Sequence, residues 1–177
     1  MKLSTRARYG LHCMVTVSRL SERGRPVSLE QVANRTGLSK RYLEQLAMAL
    51  KKGGLLRGIA GRGGGYVLAK PADQIQLCEI VESTIGPISV VDCVLEPGVC
   101  EKARRCENRL IYMLINRSIT DVLSRYSLSD LSNNERLASI VDELQVGYEP
   151  SGFGESSVAG DPCAPHPVVS ETTELPG

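Results

Sequence analysis

Two helix starts stand eleven residues apart in this chain, at Ser28 and Ser39, with a glycine turn between them. Ser28-Leu-Glu-Gln31 has capping-box spacing: the serine hydroxyl takes the amide three residues on, and the glutamine side chain reaches back. The helix it opens is predicted to run to about Arg35. Thr36-Gly37-Leu38 then turns the chain tightly, and Ser39 caps a second helix from Lys40 to Lys52. In that helix Leu43, Leu46, Ala47 and Leu50 share one face, and Gly53-Gly54 stops it. Two short amphipathic helices joined through a glycine turn form a helix-turn-helix pattern. A further helix is predicted from Thr5 to about Glu22, with Ala7, Leu11, Met14 and Val15 at helical spacing, Ser4 or Thr5 as cap, and Gly24 and Pro26 at its end.

Two strand-like runs follow, Leu55 to Ile59 and Tyr66 to Leu68, separated by Ala-Gly-Arg-Gly-Gly-Gly at 60–65. Glycines accept positive φ and allow close backbone approach, so the segment reads as a hairpin wing with Arg62 at its tip. A phosphate-cradling nucleotide loop is the rival for such glycines, but the Lys-Ser/Thr that completes one is missing.

The charge distribution says what such a head can touch. Residues 1–71 hold 14 Lys/Arg against 3 Asp/Glu, whereas 72–147 hold 7 against 12 and 148–177 hold none against 5. The overall net charge of +1 therefore averages a basic head with an acidic remainder, and only the head suits a polyanion. The candidate DNA surface comprises Ser39, Lys40, Arg41, Tyr42, Glu44, Gln45, Lys51, Lys52, Arg57, Arg62, Gly63 and Gly64. Arg41, Tyr42, Gln45 and Arg62 are the residues expected at bases or in a groove, with Lys40, Lys51, Lys52 and Arg57 on phosphate. Glu44 is the odd acid: it can accept from cytosine, repel wrong bases, or pair with Lys40 one turn back.

Further along, Leu77, Ile80, Val81 and Ile85 mark another short helix ended by Gly86-Pro87. Cys93, Cys100 and Cys106 then stand on a polar loop spanning about 92–106. Thiolates are soft ligands suited to iron–sulfur clusters. The spacing Cys-x6-Cys-x5-Cys lacks the paired Cys-x2-Cys of structural zinc. Thiols that are merely oxidisable are the competing reading. Cys13 and Cys78 fall in helical apolar patterns and read as packing, and Cys163 with His166 reads as incidental.

From Glu107 to about Tyr126 apolar residues cover so much of a helix that burial on several sides is needed, which a partner subunit can supply. The tail holds five of the nine prolines and neither Lys nor Arg over 148–177, a composition that favours disorder. No run of apolar residues is long enough for a membrane span, no signal-peptide cleavage site follows the charged start, and a cytoplasmic location is expected. There is no Ser/His/Asp arrangement, only two histidines, and no evident carboxylate pair, so an enzyme is not expected.

Met1-Lys-Leu-Ser-Thr-Arg-Ala-Arg-Tyr-Gly10, Leu38-Ser-Lys-Arg-Tyr-Leu-Glu-Gln-Leu46, Gly61-Arg-Gly-Gly-Gly-Tyr66, the helix around Leu77 to Pro87, the cysteine triad and the long helix together resemble one family. It is the iron–sulfur cluster regulator/nitrite-sensitive repressor group of winged-helix transcription factors, and the likeness covers about residues 1–135. The resemblance implies a mainly α fold: a winged helix-turn-helix DNA-binding domain at 1–86, a cluster-binding loop at 87–106, a dimerisation helix at 107–135 and a mostly disordered acidic, proline-rich tail at 136–177. It further implies a homodimer through about 107–130, a double-stranded DNA operator as partner, and a [2Fe-2S] or [4Fe-4S] cluster on Cys93, Cys100 and Cys106 that senses redox, nitric oxide or iron status. Members of one branch place a histidine three residues after the last cysteine, where this chain has Arg109; another branch draws an aspartate from the first helix of the other subunit, where this chain has Arg8. A related branch resembles this chain in having histidine one turn further on, which makes His12 of the other subunit the candidate fourth ligand, with Glu107, Asn108 or water as the alternatives. Cluster-free relatives that regulate cysteine metabolism give the competing function, and a protein-interaction adaptor using the basic face is a more distant one.

Overall fold

The computed structural model describes residues 3–21 and 24–145. Cys163, His166 and most of the proline-rich tail lie outside them. The order is α1 (Thr5–Leu20), α2 (Leu29–Thr36), α3 (Lys40–Lys52), β1 (Leu56–Ile59), β2 (Gly65–Leu68), α4 (Leu77–Ile85), α5 (Asp92–Leu95), α6 (Glu107–Arg125), α7 (Leu128–Ser132) and α8 (Asn134–Leu144). This is a mainly helical winged helix-turn-helix, as the sequence leads one to expect.

The local signals act as the residues dictate. Ser4 caps α1, Ser28 and Gln31 form a reciprocal capping box at α2, and Ser39 caps α3. Gly37 takes a left-handed φ of 69°, which lets the α2 backbone end sharply and α3 start at once. Met14, Val17, Val32, Leu43, Leu46 and Leu50 pack the head, each fully buried. Each contributes roughly 1.5–3 kcal/mol of transfer free energy, enough to hold α1, α2 and α3 in one arrangement.

The wing is a two-stranded antiparallel hairpin in which Leu56 pairs with Leu68 and Ile59 with Gly65. Val27 adds a single extra rung by exchanging two 2.8 Å backbone hydrogen bonds with Tyr66, which stitches the α1–α2 connection to the wing. That approach explains Gly65: a β-carbon there would run into the Val27 carbonyl.

The structure departs from the sequence reading beyond α6. The dimerisation helix drawn to residue 135 stops at Arg125. Tyr126 is extended, the Leu77 N–H donates to its carbonyl at 3.0 Å, and the Leu128 N–H donates to the Ile75 carbonyl at 2.7 Å. A further capping box, Ser127 with Asp130, opens α7, and Leu128 is completely buried in the head's core. Arg19 of α1 reaches the Leu131 carbonyl at 3.0 Å. The segment 126–132 thus completes the head from far along the chain. Residues 136–144, assigned above to the disordered tail, are helical instead: Asn133 caps α8, and Leu137, Ile140 and Val141 recur at helical spacing, each half-buried.

Candidate nucleic-acid interface and thiol loop

α3 divides cleanly into two faces. Leu43, Leu46, Ala47 and Leu50 point into the core, and Lys40, Arg41, Glu44, Gln45, Lys51 and Lys52 are all exposed, with Ser39 exposed at the cap. Tyr42 differs: it is half-buried, and its ring stands edge-on to Tyr9 of α1, centroids 5.8 Å apart at 84°. It packs α3 onto α1 from the edge of the exposed face. Glu44 and Lys40 make no ion pair among the described residues, which leaves the carboxylate open to a partner. Met48, which sequence reasoning passed over, is 68 % exposed among these polar side chains. Its spacing four residues beyond Glu44 was the available signal, and an apolar tip there suits a thymine methyl group.

On the wing, Arg57 is exposed on β1 and Arg62 is exposed at the tip between Gly61 at φ 99° and Gly63 at φ 79°. A β-carbon on Gly64 would collide with the Ile59 carbonyl, so the tip is narrow backbone carrying one long cation. Helix α3 and strand β1 pack directly together, so the wing hairpin is anchored beside the helix that carries the exposed cations.

The thiols separate into two environments. Cys13 and Cys78 are buried in the head; burial pushes the Cys13 thiol up to about 12, and Cys78 lies 3.6 Å from the Gln76 side-chain oxygen. Cys93 and Cys106 are half-buried and Cys100 is exposed, all unpaired, on the segment between α4 and α6. That segment is not shapeless: it forms α5 and two 3₁₀ turns, Pro97–Val99 and Ala103–Arg105, and Cys106 is the N-cap of α6. The Val90 N–H donates to the Asn116 side chain at 3.0 Å, and Arg109 Nε donates to the Cys93 carbonyl at 2.8 Å, so two α6 side chains hold the start of the loop. Neither contact was foreseen from sequence.

The fit to a cluster is chemical. Three accessible, unpaired thiols on one short segment are an apt donor set, and their loop is exposed enough to close around a small inorganic core. As arranged, no three His, Cys, Asp or Glu side chains among the described residues come within metal-holding reach of one another. His12 is exposed on α1, where partial desolvation and the Arg8 guanidinium hold its imidazole below its ordinary value. It is therefore neutral, with a free lone pair, at neutral pH. Arg8 itself is half-buried, with an Nε that finds no hydrogen-bond acceptor among the described residues.

Head and loop meet through α4, which packs against α1, α3 and α6. The fit is tight. A β-carbon on Gly10 of α1 would sit 2.6 Å from the Thr84 methyl, one on Gly53 would collide with Ser83, and Arg6 Nε donates to the Thr84 carbonyl at 2.6 Å.

A family model described as an iron-dependent transcriptional regulator, Rrf2, matches residues 3–134. The chain belongs to the Rrf2 family. It is 32 % identical to the HTH-type transcriptional regulator IscR of Erwinia tasmaniensis over 142 residues, 80 % of this chain and 85 % of that one. Among solved structures, CymR, the global cysteine regulator of B. subtilis, superposes with a TM-score of 0.61 at 36 % identity, covering 75 % of this chain and 96 % of that one. T. potens IscR superposes with a TM-score of 0.60 at 28 % identity, covering 84 % and 94 %. Membership of the Rrf2 family makes this chain a DNA-binding transcriptional regulator rather than an enzyme, and among its described residues no helix is long and apolar enough to cross a membrane.

Proposed function

We propose that this Rrf2 regulator is a cytoplasmic homodimer that binds a pseudo-palindromic operator, most simply as a repressor, and that an iron–sulfur cluster on Cys93, Cys100 and Cys106 sets how well it binds. The observation that carries the reading is the segregation of thiols: the three on one segment are accessible, and the two in the head are buried. When bound, such a cluster supplies a redox- and nitric-oxide-sensitive inorganic core. Three thiolates leave one corner for a weaker donor, for which His12 of a second subunit, neutral at pH 7, is the candidate.

The protein's own residues do the rest. Arg41, Gln45 and Met48 meet base edges, Arg62 enters the adjoining groove, and Lys40, Lys51, Lys52 and Arg57 hold phosphate. Two copies pair through the exposed apolar face of α6, which spaces two α3 helices about 34 Å apart, one turn of DNA. Ordering of residues 92–106 acts on α6, and the close α4 contacts with Gly10 and Gly53 pass the change to the recognition helix.

The likeness to CymR favours a second reading, in which the same loop works without metal through thiol oxidation. Protein purified without air separates the two. Charge-transfer absorbance that disappears in Cys100→Ala supports the cluster; a colourless wild type after iron and sulfide reconstitution leaves the thiol reading.

A further inference from the structure

Arg109 stands three residues after the last cysteine, at the start of α6, and a guanidinium cannot serve as a metal ligand because it keeps its proton and offers no lone pair. The structure shows what it does instead. Its Nε donates to the Cys93 carbonyl at 2.8 Å, with the side chain half-buried against the loop. Seven residues on, two helical turns along the same face, Asn116 accepts from the Val90 N–H at 3.0 Å. These two bonds fix the backbone from Val90 to Cys93 to α6. The hydrogen bonds of residues 96–103, by contrast, are short-range backbone contacts within the loop: Val99 to Glu96, Cys100 to Pro97 and Ala103 to Cys100. Among the described residues no carboxylate forms an ion pair with Arg109, so its charge is not neutralised locally.

We propose that Arg109 is a positioning residue that clamps the Cys93 end of the loop onto α6 whether or not metal is present, and that it sets a fixed positive charge beside the cluster. The second half rests on the cluster reading above; the first does not. Cys93 is thereby a donor already in place, whereas Cys100 is the donor that moves, so the loop closes from one side and opens from the same side. The charge favours the more reduced, more negative core.

The test uses full-length protein, prepared without air and divided into metal-free and reconstituted portions. In the metal-free portion of Arg109→Ala, amides of residues 90–95 should exchange with deuterium about tenfold faster than in wild type, the loss of one partly buried hydrogen bond, while amides of α2 and α3 stay protected. In the reconstituted portion, Arg109→Ala should keep visible absorbance but show a more negative midpoint potential, and Arg109→Lys, which keeps the charge, should return most of that shift. Unchanged exchange at 90–95 in Arg109→Ala overturns the clamp. A potential indifferent to Arg109→Ala overturns the electrostatic role. If wild type takes up neither iron nor sulfide, the cluster reading fails on its own, and the exchange experiment still decides the clamp. Should Arg109→Ala lose protection in α2 and α3 as well, the clamp is overturned as a local device, and Arg109→Gln repeats the measurement with a side chain of similar length.

Discussion

The head buries Met14, Leu43, Leu46, Leu50 and Leu128 completely, whereas α6, the longest helix among the described residues, buries none of its nineteen residues. On α6, Leu110 is 63 % exposed, Leu114 61 %, Ile111 55 % and Val122 50 %, and Leu95 and Val99 of the thiol loop are about as open. The two regions are built from similar proportions of apolar residues put to different use. In the head the second half of each contact comes from the same chain, even when that means recruiting α7 from about sixty residues beyond the wing. Along α6 the described residues leave these side chains uncovered, and this apolar strip is the face proposed above for the contact between two copies. On the proposed reading, DNA contact and pairing fall to separate parts of the molecule, with the thiol loop between α4 and α6.

That contrast can be broken by experiment. Leu128→Ala should cost the head about 2–5 kcal/mol in chemical denaturation, because it empties a closed site, whereas Leu114→Ala should barely move the same transition in dilute protein. Equal losses would mean that α6 is as much core as α7. Leu114→Glu should convert dimer to monomer in sedimentation velocity and weaken operator binding by roughly 30-fold or more, with the head's circular dichroism intact; a variant that remains dimeric would move the interface elsewhere. Within the head, Arg62→Ala should weaken operator binding by about 1–3 kcal/mol in a gel-shift titration, and Lys51→Ala should lower the salt slope by about one. Unchanged affinity in Arg62→Ala would remove the wing tip from the interface.

The smallest effect concerns how α7 is closed. Desolvation pushes the Asp130 carboxyl up, but hydrogen bonds from the Ser127 N–H and hydroxyl, with Arg136 beside it, outweigh that and hold it below its ordinary value. A carboxylate lowered on folding contributes stability above its unfolded pKa and loses it as pH falls through its folded one. Wild type should therefore lose this contribution on acidification below about pH 4, and Asp130→Asn should cost about 1 kcal/mol at pH 7 with a shallower acid limb. An identical acid limb in the variant would show that Asp130 is not what holds the α7 cap.

Much of the head was legible because its signals are local. Ser28 with Gln31, Gly37, Ser39 and the leucines of α3 act through residues three or four positions away, and each does what its spacing requires. What sequence missed is long-range. Nothing near Leu128 says that it fills a core made by residues a hundred positions earlier, although Ser127-Leu-Ser-Asp130 carries the same capping spacing as Ser28 to Gln31 and could have ended the long helix on paper. Asn133 gave a similar hint for α8. For the site, exposure of the α3 cations followed from periodicity, while the inward turn of Tyr42 depends on Tyr9 and the Arg109 clamp on a carbonyl sixteen residues away. Those partners are set by tertiary packing, which a one-dimensional pattern does not carry.

The most direct measurement is operator affinity of anaerobically purified full-length protein before and after removal of iron by a chelator, with iron and acid-labile sulfide counted on the same sample. The cluster-controlled dimer predicts both elements in the untreated protein and a change in affinity of about 5- to 150-fold when they are removed, the span of ordinary coupling between two sites. Protein that contains neither element, or that binds its operator equally well with and without them, would contradict it.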